Sequence, residues 1–266
     1  INNNEGCTAV KAELVWQDVS NLLTNIGYRG SGEDAYVTFY ISRPEIRQGN
    51  AVIAVKDNSG AVLWSWHIWV TDENIARTQT VRNHNSVTYR VMPVNLGWCD
   101  VDSTIYDERS CQVRIKTAVN SRIFNLHQSA QTIARGNNPY YQWGRKDPFA
   151  PNDGYKEANK TLYDASGVAS TADPVTEEFF TEQEWNSSNT AQHRTSLANR
   201  RIALGIRKPG VMKRYKLGDH RYINLWNVKN VNTDYKTPND DEVVKTIYDP
   251  CPVGFHLPPS NAFTGF

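Results

Sequence analysis

A mostly β fold is predicted by three observations on these 266 residues: short runs rich in β-branched and aromatic side chains, turn-forming residues between them, and prolines that forbid a long helix near the end. Leu14–Trp16, Ala35–Ile41, Ala51–Val55, Val62–Val70, Val87–Val91, Cys111–Thr117 and Ile123–His127 read as strands. The clearest hairpin joins Ala51–Lys56 to Ala61–Trp64 across Asp57-Asn58-Ser59-Gly60, whose Asx and Gly residues tolerate the backbone of a tight turn. Seven short strands over residues 1–134 match an immunoglobulin-like β-sandwich. Along Val62–Val70, Trp64, Trp66 and Ile68 share one face while His67 and Trp69 share the other. Such a strand is expected to be central, with Trp64 and Trp66 buried; a sugar-stacking platform is the alternative.

Composition changes at Arg135-Gly136-Asn137-Asn138-Pro139, which places a domain boundary there and leaves residues 135–266 as a second domain. From there to Gly218 the chain is polar and weakly periodic. Asn152–Asn199 is expected to hold surface loops with little regular structure, with a short helix as a candidate at Glu177–Trp185 and a segment of either type at Leu197–Ile206. Apolar order returns at Tyr222–Trp226 and Val243–Tyr248, before Pro250, Pro252, Pro258 and Pro259.

Twenty-nine basic against twenty-eight acidic residues leave no global pull toward nucleic acid or anionic membrane, so partners are recognised locally and nucleic acid is not among them. Generous aromatics, two methionines and recurrent Asn, Thr, Ser and Tyr fit an exported protein. No secretory signal and no apolar stretch of about 18 residues is present, and the chain opens on Ile1-Asn2-Asn3-Asn4. An address or membrane anchor is therefore expected upstream of this sequence.

Cys7, Cys99, Cys111 and Cys251 show no C-x-x-C pair and do not form a zinc framework. Cys99 and Cys111 are the best-placed disulfide pair, with buried free thiols as the other reading. Histidines 67, 84, 127, 193, 220 and 256 lack metal-ligand spacing, so no metal or cofactor is expected. Glu177-Glu178 and Asp240-Asp241-Glu242 read as solvated surface. Asp100, Asp102 and Asp107 have the composition of a calcium loop without its spacing or glycine, and read as a solvated loop. Nucleophile-elbow, dinucleotide and phosphate-loop patterns are absent, no catalytic residue is assigned, and the chain is not expected to be an enzyme.

Five ordered strings carry a resemblance: Gly49–Asp57, Leu63–Asp72, Met92–Cys99, Tyr140–Phe149 and Tyr248–Phe255. Together they resemble the fimbrillin-family surface proteins of gut Bacteroidales over nearly the whole chain. The C-terminal strings also resemble the Fibrobacter-type major paralogous domain. Its Tyr-x-Trp and Cys-Pro-x-Gly-(Trp/Phe)-x-x-Pro elements belong to a C-type-lectin-like or formylglycine-generating-enzyme-like fold. This implies that Tyr141, Trp143, Cys251, Pro252, Gly254, Phe255 and Pro258 are fold markers, not catalytic residues, with Trp143 and Phe255 in the core. It further implies a non-catalytic adhesion or fimbrial (pilus-associated) module on the extracellular side of the cell surface or outer membrane. The implied partners are protein subunits of a surface appendage, or a host or bacterial surface glycan or protein. Two alternatives follow from the same likeness: a carbohydrate-active or formylglycine-generating-like enzyme, and a pilus polymer subunit without external ligand. Chains of that family continue well beyond Ser260–Phe266, so the α+β lectin-like domain is expected to be incomplete. An incomplete domain leaves an apolar surface around Trp143, Trp226, Phe255 and Phe263, to be covered by a partner's strand or by further chain.

Overall fold

The computed structural model describes residues 8–149, 161–170, 176–177, 179, 181–213, 224–229 and 238–265. Over these residues the fold is mostly β, in several small and largely antiparallel sheets. The first strands in chain order are β1 (Lys11–Gln17), β2 (Thr24–Arg29), β3 (Tyr36–Tyr40), β4 (Gly49–Lys56), β5 (Val62–Val70), β6 (Gln79–Arg82) and β7 (Thr88–Val91). They are followed by β8 (Cys99–Tyr106), β9 (Arg109–Lys116), β10 (Ser121–Gln128) and β11 (Gln131–Asn137), then by the two-residue strands β12 (Tyr140–Tyr141), β13 (Pro148–Phe149), β14 (Leu162–Tyr163) and β15 (Ala169–Ser170). The helices are α1 (Glu182–Asn186) and α2 (Ala191–Arg207). All seven segments expected as strands are strands. The Asp57–Gly60 turn also forms, with the Gly60 amide bonded to the Asp57 carbonyl and the Asp57 side chain accepting from the amides of Ser59 and Ala61.

One compact unit comprises Ile1–Trp98 with Asn138–Phe266 and a second comprises Cys99–Asn137. This division differs from a boundary after residue 134, because a single sheet draws strands from both sides of it. Its order is β15-β14-β1-β4-β5, and Gln17 of β1 pairs with Tyr163 of β14. β4 is the strand buried along its length. Ala51 and Ile53 pack on Leu22 and Leu23, with Val37 and Ile68 against that cluster, while Val52 and Ala54 fill the other face. Each large aliphatic side chain enclosed there contributes roughly 1.5–3 kcal/mol.

The expectation that β5 is central with both tryptophans buried is corrected here. β5 ends the sheet, Trp64 is only half-buried, and Trp66 is 41% exposed at the rim of an open groove with Tyr36 and Phe39. β4, paired between β1 and β5, is the strand enclosed on both faces, because small Ala51 and Ala54 let neighbours close on it there, which tryptophans cannot.

The expectation of loops across Asn152–Asn199 is corrected as well. Residues 150–160, 171–175, 178 and 180 lie outside the described set, but the remainder carries α1 and the start of α2. α1 opens with a reciprocal capping box between Thr181 and Glu184, and the Thr190 hydroxyl caps α2 by accepting from the His193 amide. α2 packs against β5 and buries Leu197, Ala198, Arg201 and Gly205, one face of a helix. Of the two segments where apolar order returns, Tyr222 and Ile223 are not among the described residues, and Val243–Tyr248 holds one isolated bridge, Asn227 to Lys245, followed by a turn at Ile247–Tyr248.

The second unit is a two-stranded ribbon. β8 pairs with β11 and β9 with β10 in one running register, Tyr106 opposite Gln131 and Arg109 opposite Gln128, closed by a turn at Thr117–Asn120. Asp100 and Asp102 thus belong to a strand and not to a loop. The expected disulfide between Cys99 and Cys111 does not form. They lie twelve residues apart along one line of extended chain, a separation on the order of 40 Å. Short exposure of the native chain to iodoacetamide should therefore modify exposed Cys111 and leave buried Cys99 untouched, as read by peptide mass mapping. Equal protection of both would contradict this arrangement.

Candidate functional site

The string Tyr140–Phe149 organises the first unit. β12 and β13 pair, and the turn between them carries Trp143 to Asp147 with Gly144 at φ 74. The Arg145 guanidinium donates to the carbonyls of Gly205 (3.0 Å), Lys208 (3.0 Å) and Val211 (2.6 Å), satisfying acceptors that the end of α2 leaves open and opposing the negative end of its dipole. Burial pulls its pKa down to about 10, which Asp147 opposes.

Lys146 turns toward the sheet. Its ammonium donates to the Ser65 carbonyl (2.8 Å), the Ser65 hydroxyl (2.5 Å) and the Asp147 carboxylate (2.7 Å), and lies 4.5 Å from the Trp64 ring centroid. Burial lowers the Lys146 pKa, and the Asp147 charge and hydrogen bond raise it. A serine beside a lysine has the atoms of a nucleophile and its base. Here the Ser65 hydroxyl donates to Asp147 at 2.8 Å, the lysine donates to every partner, and Ser65 is 2% exposed, so a reacting carbonyl has no place to sit. The trio fastens β5 to residues 146–147.

A second buried network runs from Asp18 through Asn50 and His67 to Tyr141. Asp18 accepts from the Asn50 amide (2.6 Å) and side-chain nitrogen (3.0 Å), and that nitrogen also donates to the Gly97 carbonyl (2.9 Å). The Asn50 oxygen can only accept, so His67 Nε2, 2.9 Å away, carries the proton. Burial pushes the His67 pKa down to about 3 and keeps the ring neutral, so its Nδ1 accepts from the Tyr141 hydroxyl at 2.8 Å. Both partners of His67 are spent in structure.

Beyond this framework lies an open trough. Asp249 shapes one wall: its carboxylate accepts from the amides of Cys251 (2.8 Å) and Leu257 (2.9 Å) and from Lys245 Nζ (3.0 Å), which folds Pro250–Leu257 into a fixed loop with Gly254 at φ 88. Tyr89, Met92, Leu96 and Trp98 form the facing wall, and Tyr141, Trp226, Phe255, Leu257, Pro258 and Phe263 complete a cavity of about 740 Å³. An adjoining cavity of about 580 Å³ shares Trp226, Leu257, Pro258 and Phe263 and adds Trp143, Lys229, Asp241 and Glu242. Trp143 and Trp226 meet edge to face, centroids 5.1 Å apart, and the Trp226 indole nitrogen donates to the Arg145 carbonyl at 3.0 Å. Phe263 is 57% exposed and Trp143 is exposed too, so among the described residues nothing closes the trough.

Asp240 pins the β6–β7 hairpin beside it. Its carboxylate accepts from Tyr89, Asn83, Asn85 and Asn261, and these bonds, the Tyr89 hydroxyl foremost, hold its pKa down to about 2. A depressed carboxyl stabilises the fold fully above the ordinary aspartate value of 3.8 and loses that contribution as the pH falls through about 2. A carboxyl-carbon NMR titration should show that midpoint for Asp240; a midpoint near 4 would contradict the network.

Six of the seven expected fold markers converge here. Tyr141, Cys251, Gly254, Phe255 and Pro258 line the larger cavity and Trp143 the smaller, while half-buried Pro252 lines neither. The expectation that Trp143 and Phe255 fill a core is corrected: Phe255 is half-buried and both face the trough. Burial, then Asp249, raises the Cys251 thiol to about 12, which leaves it unreactive at neutral pH. Sequence reasoning missed Arg145, Lys146, Asp147, Asp240 and Asp249. Only Asp249 had a visible signal, an Asp-Pro step opening a proline-rich loop. No cluster of His, Cys, Asp or Glu able to hold a metal occurs among the described residues.

No family model, curated protein or solved structure matches this chain.

Proposed function

We propose that the chain is a non-catalytic adhesion or fimbrial module of a bacterial cell surface, and that its partner seats in the aromatic trough. The observation that carries the reading is the open wall of Trp143, Trp226, Phe255 and Phe263 on a rigidly bonded framework. Exposed aromatic groups held by Asp249 and Arg145 lose little freedom when a partner covers them, which favours binding over chemistry. The likeness of five strings to fimbrillin-family surface proteins points the same way. The finer fold belongs to this proposal: an immunoglobulin-like sandwich, supported by the packing of Val37 of β3 on the Leu22–Ile53 cluster, and a lectin-like second part. The partner is a surface glycan or the protein subunit of an appendage. Beads coated with the chain and passed over immobilised surface glycans and surface proteins should be retained saturably by at least one of them. Uniform failure to bind would overturn the proposal.

A further inference from the structure

The smaller cavity of the trough, about 580 Å³, has the size of a small-ligand pocket and a lining that discriminates among ligands. Part of the lining is aromatic and open: Trp143 is 40% and Phe263 57% exposed, and Trp226 is held by its indole bond to the Arg145 carbonyl. Planar polar side chains accompany them. Asn224 and Asn239 each give the side-chain oxygen to a main-chain amide, that of Trp226 (3.3 Å) and that of Asp241 (3.1 Å). Among the described residues this leaves both amide NH2 groups uncommitted, and with them the Trp143 indole N–H and the exposed Asp241 carboxylate. The cavity thus offers three donors and one charged acceptor beside its aromatic surface.

Its main chain is spent. The amides of Trp226, Lys229, Asp241 and Leu257 donate to the side-chain oxygens of Asn224, Asn227, Asn239 and Asp249, and Pro258 and Pro259 have no N–H to give. An extended peptide laid here finds no row of backbone partners. A lipid chain would cover the amides and the carboxylate without replacing their water, which is costly. A pyranose ring meets both demands, because its C–H groups suit the negative face of an aromatic ring and its hydroxyls donate and accept. Charge narrows the sugar. Lys229 is paired with Glu242, so Asp241 is the charge a ligand meets, and an acidic sugar would set carboxylate against carboxylate.

We infer that this cavity takes an uncharged pyranose ring of a glycan chain, seated against Trp143 and Phe263 and hydrogen-bonded by Asn224, Asn239 and Asp241. The inference rests on the trough being the partner site and adds the chemistry of the partner.

Saturation-transfer NMR on the full chain tests it with hexasaccharides of glucose, mannose, galactose and N-acetylglucosamine, and with hexagalacturonate as the acidic probe. Saturation should reach the ring C–H protons of at least one neutral sugar and bypass hexagalacturonate. For that sugar, Trp143→Ala and Asp241→Ala should each raise Kd at least ~10-fold. Asp241→Asn, which keeps an acceptor oxygen, should cost less than Asp241→Ala, and Val253→Asp should change nothing. Circular dichroism would confirm that each variant keeps its strands. Silence from every neutral sugar, preference for hexagalacturonate, or neutral-sugar binding indifferent to Trp143→Ala and Asp241→Ala overturns the inference. If the neutral sugars fail while an immobilised surface protein is bound and released by Phe263→Asp, this inference alone falls and the trough remains the partner site. Failure of sugars and proteins together overturns both.

Discussion

Replacing Asp147 with alanine should cost about 3–5 kcal/mol, the largest loss expected from any single polar substitution among the described residues. Lys146 and Asp147 are both almost wholly enclosed, with side-chain exposures of 8% and 3%. Removing the carboxylate strands an ammonium among Ser65, Trp64 and the sheet, where water cannot solvate it. The same change deprives the Ser65 hydroxyl of its acceptor. Thermal unfolding followed by circular dichroism should fall by about 10 °C, since 1 kcal/mol shifts a chain of this size by roughly 2–4 °C. The double change Lys146→Met with Asp147→Leu should recover most of the loss, because the cost lies in the unpaired charge more than in the missing pair. A loss below about 1 kcal/mol for Asp147→Ala would show that the ion pair is not buried as described.

Gly97→Ala should cost roughly 3 kcal/mol or more, while Gly60→Ala costs about 1 kcal/mol. Both glycines have positive φ, 80 and 84, so both substitutions incur the left-handed penalty. They differ in space. A Cβ on Gly97 would lie 2.4 Å from Pro139 Cγ and 2.9 Å from the Asn50 oxygen, whereas a Cβ on Gly60 meets nothing within 4 Å. The Gly97 carbonyl also accepts from Asn50, so any shift that relieves the clash pulls on the Asp18–Asn50–His67 network. Melting temperatures of the two variants check the difference; equal losses would mean that the Gly97–Pro139 approach is looser than it stands here.

Strands whose own residues alternate or carry β-branched runs were legible, as were the Asp57–Gly60 turn and the apolar character of Val62–Val70. β2 and β8 were not, because Thr24–Arg29 and Cys99–Tyr106 mix Gly, Asn or Asp among their apolar residues and owe their pairing to partners elsewhere in the chain. α2 was ambiguous because its buried face includes Arg201 and Gly205 instead of a clean apolar stripe; the capping Thr190 that opens it was the missed signal. Aromatic residues on β5 suggested a central strand, yet β5 ends the sheet and the strand enclosed on both faces is β4, whose alanines make room for neighbours.

The site was legible in part. The strings around Trp143 and Cys251–Pro258 stood out, and they do meet at the trough. Their role was misread, since nothing local reveals that Trp143 ends against Trp226, 83 positions away, instead of in a core. The framework was hidden for the same reason: Ser65 meets Asp147 across 82 positions and Tyr89 meets Asp240 across 151, separations at which no periodicity survives.

The most direct test of the trough as the partner site compares three chains on whichever immobilised glycan or protein retains the wild type. Phe263→Asp and Trp143→Ala alter exposed trough walls, and Val253→Asp alters a residue that lines neither cavity and is 98% exposed. Surface plasmon resonance should show binding weakened at least ~10-fold by both trough variants and unchanged by Val253→Asp. Wild-type affinity in both trough variants would contradict the account.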